Sequence, residues 1–174
     1  MARELALSIL ELGHRPLIMW LHTTVNPPAD EWDAALETIV DHRAARNVAP
    51  SGMCHLVVSD GGAPSAKQRA QLLHAVWKGK PGKIAVVTPV LDNPIKRGVA
   101  TALTWLNPLS RFYEPSGFRL ALQYLDVTEH TDAIWNAYGE LAQQLLPSNN
   151  ALHLISTSVG LPRQPSPARH AERH

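Results

Sequence analysis

The chain has 174 residues, 45% of them hydrophobic and 18% charged, with 16 Lys+Arg against 15 Asp+Glu and a formal net charge of +1. That length suits one domain with a core of its own, and the composition excludes a disordered or fibrous chain. The balanced charge leaves no electrostatic footprint for nucleic acid, and a single cysteine, Cys54 in "MCHLVV", excludes an internal disulfide and reads as a small buried hydrophobe in a reducing compartment.

The amino terminus, "MARELALSILELGHRP", lacks the continuous apolar run and small-residue cleavage site of a signal peptide. No stretch reaches the length of a membrane span, so the expected location is the cytoplasm. "LALSILEL" (5–12) and "PLIMWLHTT" (16–24) flank a break at Gly13-His14-Arg15 of the length that joins hairpin strands. A helix through the first segment is the competing reading, because leucine, alanine and glutamate favour one. After "NPP", the segment "ADEWDAALETIVDHRAARN" places Trp32, Leu36, Ile39 and Val40 at helical spacing with Asp33, Glu37 and Asp41 opposite. Asn26 is its expected cap, and Asp30 and Glu31 suit the positive end of the helix dipole.

Pro50-Ser51-Gly52 resets the chain for the strand "MCHLVVS", and the turn "SDGGAPS" leads into a helix opening near Ser65. In that helix Ala66, Ala70, Leu73 and Trp77 line up against Lys67, Gln71, His74 and Lys78. "GKPGK" breaks it, and "IAVVTP" predicts a strand buried on both faces, as an interior parallel strand is. "NPIKRGVATALTWLNP" predicts a third helix bounded by prolines, and "RFYE" a short strand. "PSGFRLALQYL" predicts a fourth helix with Ser116 as cap, and "TEHTDAIWNAYGELAQQLL" a fifth capped by Thr128.

The expected fold is a single α/β domain over residues 1–147. Its sheet is mixed and mostly parallel, of about five strands, with the amino-terminal hairpin at the edge and "LVVS" and "IAVV" inside. Helices cover it, including an extra carboxyl-terminal one. From 148 to 174 the apolar pattern weakens, and "PRQPSPARHAERH" is rich in proline and arginine, so an irregular tail is expected.

The order of elements from Leu5 to Leu125 resembles the STAS-like superfamily, shared by anti-sigma-factor antagonists and sulfate transporter tails. The resemblance rests on the hairpin, a helix beginning "PADEWDAAL", a strand ending "VVSDGG", a helix, "IAVVTP", another helix, and a short strand leading to "EPSGFRLALQYL". In the antagonists a strand ends in an aspartate, and a serine at the start of the next helix is phosphorylated by a partner kinase. Asp60 and Ser65 occupy comparable places, although this chain reads Pro64-Ser65-Ala66-Lys67 where that family has paired serines and a following glycine. The resemblance implies a non-enzymatic regulatory or protein-interaction module, controlled by phosphorylation or ligand binding at Asp60, Gly61, Gly62, Ser65 and Lys67. The expected partner is a protein, a homodimer is open to it, and no cofactor is required.

Read from the residues alone, "SDGGAPS" lacks the glycine spacing and lysine of a P-loop, and Ser65 has no flanking glycines of a nucleophile elbow. Two adjacent glycines mostly mean a sharp turn. Nine histidines show no zinc-site spacing with cysteine or carboxylate. His22, at a strand end, can be imagined with Ser65 and Asp60 as a triad, which gives the alternative of a small α/β hydrolase or transferase. A carrier of an apolar ligand is a further alternative, visible as a sizeable closed pocket with few polar groups. Trp105, flanking the third helix's apolar stripe beside Gly98, is either an interface anchor or a closure of the core.

Overall fold

A computed structural model of the chain describes residues 3–13, 15–89, 107–145 and 150–163. The expected third helix, with Gly98 and Trp105, lies outside the described residues. Five strands form one sheet in the order β1 (Leu5–Leu12), β2 (Arg15–His22), β3 (Cys54–Ser59), β4 (Ile84–Val87) and β5 (Ser110–Tyr113). β1 and β2 are an antiparallel hairpin, and every later pairing is parallel. The hairpin, the edge position of β1 and the interior positions of β3 and β4 are as the sequence predicts. Five helices flank the sheet among the described residues: α1 (Ala29–Arg46), α2 (Ala66–Ala75), α3 (Phe118–Leu125), α4 (Thr131–Ala142) and α5 (Asn150–Val159).

Strand periodicity divides the core in two. Leu17, Met19 and Leu21 of β2, Cys54, Leu56 and Val58 of β3, and Ala85 and Val87 of β4 pack with α3, α4 and α5 on one face. Their neighbours Ile18, Trp20, Val57 and Ile84 turn to the other face, where Trp32, Leu36 and Ile39 of α1 and Val76 and Trp77 beyond α2 meet them. Cys54 is buried in the first layer, and that burial pushes its thiol above the ordinary pKa, so it behaves as the small hydrophobe expected.

Several local expectations need correction. α1 buries Trp32, Leu36 and Ile39 as predicted, but it begins after Pro28 with no side-chain cap. Asn26 instead accepts from the Ala63 amide at 3.0 Å, and Glu31 of the first turn accepts from the amides of Glu4 and Leu5, fastening the start of β1. α2 does not bury the Ala66–Ala70 line: both alanines are exposed, and the buried residue is Gln68. The Gln68 side chain donates to the Pro27 carbonyl at 2.9 Å, so a polar tether sets how the helix faces the protein. Ser116 and Thr128 are not caps, because each sits in a single 3₁₀ turn preceding the helix. Most of the expected irregular tail before Pro162 is α5, which buries Ala151, Leu152 and Ile155. In the sequence these positions are interleaved with His153, Ser156, Thr157 and Ser158, which weakens the pattern. Finally, β4 is not buried on both faces: Ala85 and Val87 are buried while Ile84 and Val86 are half-exposed. The cause is a cavity.

Candidate functional site

Register places the floor of that cavity. Trp20, Val57, Val86 and Phe112 stand opposite one another across four strands, and His55, Ile84 and Ser110 form the rung below. His22 and Ser59 pair above them at the carboxyl ends of β2 and β3. Trp32 of α1 and Arg69 and Leu72 of α2 supply the walls, and Asn26 with Gly61 to Ser65 forms the rim. The cavity is open at the rim and has a volume of about 480 Å³, within the range that takes a small organic molecule. The cavity runs along the face of the sheet, and its rim at Gly61 to Ser65 lies at the carboxyl end of β3, where parallel sheets gather ligands.

The floor is aromatic and electrically quiet. Trp20 stacks on Trp32 with ring centroids 5.3 Å apart and on His55 at 6.1 Å, while His55 meets Trp77 edge-on at 5.1 Å. The Trp20 indole N–H donates to His55 Nδ1 at 3.1 Å. An indole nitrogen can only donate, so Nδ1 is assigned as the bare acceptor and the neutral ring carries its proton on Nε2. Burial pushes the pKa of His55 down to about 3 and that of His22 down to about 4. Both rings are therefore uncharged at neutral pH. Among the described lining residues, Arg69 alone is charged.

The turn from Asp60 to Ser65 has no amide left over for an anion. The amide of Asp60 donates to the His22 carbonyl, that of Gly61 to Ser59 Oγ, that of Gly62 to the Thr23 carbonyl and that of Ala63 to Asn26 Oδ1. Pro64 has none, and the Ser65 amide donates to Gln68 Oε1 at 2.7 Å. Ser65 Oγ accepts in return from the Gln68 amide, which completes a capping box at the start of α2. Gly62 is required by closeness rather than by its dihedrals, since a Cβ there would stand 2.1 Å from the Val25 carbonyl oxygen.

Of the residues singled out in the sequence, Gly61, Gly62, Ser65 and His22 line the cavity together. Asp60 and Lys67 do not. Both Asp60 carboxylate oxygens accept from the first amides of α5, Asn150 at 2.7 Å and Ala151 at 2.5 Å, and burial raises the Asp60 pKa against the pull of those amides. Lys67 is exposed on the first turn of α2. Asp60 is thus tied to the start of α5 and Ser65 to the start of α2. Sequence reasoning missed Trp20, Trp32, His55, Val86 and Arg69 as site residues. A signal existed in the polar rings that interrupt the apolar strands "MWLH" and "MCHLVV" at alternate positions.

No family model, curated protein or solved structure matches this chain. Among the described residues no group of three or more metal-ligating side chains converges, and no helix is long and apolar enough to cross a membrane.

Proposed function

We propose that this chain is a non-enzymatic regulatory module of the STAS-like type whose input is a small, largely apolar molecule. The observation that carries this reading is the cavity of about 480 Å³ between the sheet and the α1 and α2 layer. Its floor carries Trp20, Val57, Val86, Phe112 and Ile84, and Trp32 adds a second indole from the wall, so the lining is largely apolar. The hairpin followed by parallel strands and intervening helices supports the STAS-like placement. Ser65 is exposed at the cavity rim, so a protein docking over the Asp60 to Ser65 turn would sense whether the cavity is filled. The same position suits control by phosphate on Ser65.

The test is ligand-induced stabilisation and tryptophan fluorescence across a panel of small apolar compounds, with Val86→Trp as the control that fills the floor. Binding to the natural chain raises its melting temperature by mass action, and Val86→Trp removes the effect. Compounds that act equally on both chains, or on neither, would refute the proposal.

A further inference from the structure

We infer that the cavity selects an organic carboxylate: an apolar, planar body over the Trp20–Val57–Val86–Phe112 rung, with an acceptor-only anionic head beside Arg69. This rests on the binding role just proposed and adds the chemistry of the ligand.

The hydrogen-bonding groups of the lining are unevenly spent. Four acceptors already have donors: Asn26 Oδ1 takes the Ala63 amide, Ser59 Oγ the Gly61 amide, Ser65 Oγ the Gln68 amide and His55 Nδ1 the Trp20 indole. Donors remain. The Nε1–H of Trp32, the Nε2–H of His55 and the Nε–H of Arg69 are buried and have no acceptor, and all three residues line the cavity. A buried donor left unpaired costs roughly 1–3 kcal/mol, so three such donors on residues around one cavity favour an occupant that brings acceptors over one that brings donors.

Charge points the same way. No ion pair among the described residues includes Arg69, and no aspartate or glutamate is among the described residues that line the cavity. Its guanidinium is held by one hydrogen bond from Nη1 to the Pro64 carbonyl at 2.6 Å, which places it at the rim beside the turn. A planar guanidinium is matched by a carboxylate, and an ammonium head would meet a cation and a row of donors. The flat rings of Trp20, Trp32 and Phe112 favour a flat body.

Three probes with one body and different heads separate these contributions: hydrocinnamate, hydrocinnamyl alcohol and phenylpropylammonium, titrated by calorimetry and tryptophan fluorescence. The carboxylate is expected to bind about tenfold more tightly than the alcohol, with the ammonium weakest. Arg69→Met should bring carboxylate and alcohol within about threefold of each other while the alcohol still binds, which also shows that the variant is folded. If that variant does not fold, the ranking of the three heads on the natural chain is the test by itself. An alcohol that matches the carboxylate, or a preference unchanged in a folded Arg69→Met chain, overturns the inference and leaves the cavity's binding role standing. Failure of all three heads to bind overturns both.

Discussion

Gly62 is the residue on which the cavity rim turns. Its amide donates to the Thr23 carbonyl at 2.9 Å, and its own carbonyl accepts from Ser59 Oγ at 2.7 Å, so the segment after β3 lies flat against the segment after β2. A methyl group at Gly62 would stand 2.1 Å from one backbone oxygen and 2.7 Å from another, and neither can rotate aside. Gly62→Ala should therefore cost about 1–3 kcal/mol, the range for forced overpacking. Urea unfolding would read it, and a change within about 0.5 kcal/mol, typical of an open surface site, would show that the contact is relieved cheaply. Gly61 differs: its φ of 126° lies in the region that favours glycine, so its requirement is conformational. The pair "GG" was visible in the sequence as a turn, but which glycine needed closeness and which needed φ depended on the β2 loop packed beside it.

At the scale of elements, Asp60 shows why a strand-end aspartate can be misassigned. The sequence placed it next to Ser65, five positions on, whereas the fold sends its carboxylate to the start of α5, about ninety positions away. There it caps a helix that sequence patterning left in an irregular tail. Asp60→Ala should cost about 1–2 kcal/mol, as loss of a helix cap does, and hydrogen exchange should quicken across α5 while β3 stays protected. Faster exchange in both would mean that the strand end, rather than the cap, depends on this carboxylate. Strands were legible because β2, β3 and β4 are short apolar runs bounded by turn residues. The faces of α2 and β4 were not. Gln68 is buried through a hydrogen bond to Pro27 that no periodicity encodes, and Ile84 and Val86 are half-exposed because they floor a cavity. An apolar strand reads the same whether its face meets a helix or a hole.

The whole molecule stores a pH dependence in the same site, through two buried histidines that line the cavity. His22 and His55 are 3% and 1% exposed, and burial holds their pKa values near 4 and near 3 against an ordinary imidazole's 6.5. Above 6.5 both are neutral in the folded and unfolded chain, and they contribute no pH dependence. As the pH falls below 6.5, the unfolded chain takes up protons that the folded chain refuses, so stability is lost progressively until the folded values are passed. Each ring contributes a slope of up to about 1.4 kcal/mol per pH unit. Together they should remove about 4 kcal/mol between about pH 7 and pH 5, a large share of an ordinary domain's stability. Asp60, whose pKa is raised, acts in the opposite sense, but only in the window just above the ordinary carboxyl value of 3.8, where the folded chain holds a proton that the unfolded chain has lost. Urea unfolding at the two pH values measures the loss. His55→Asn is the informative variant, because its side-chain oxygen can stand in for Nδ1 as acceptor of the Trp20 indole without bringing a group that titrates. That variant should lose about half of the pH dependence whatever its stability at neutral pH. A natural chain equally stable at both pH values, or a His55→Asn chain with the full slope, would mean that these rings reach water in the folded state, and with it that the aromatic floor is open rather than closed.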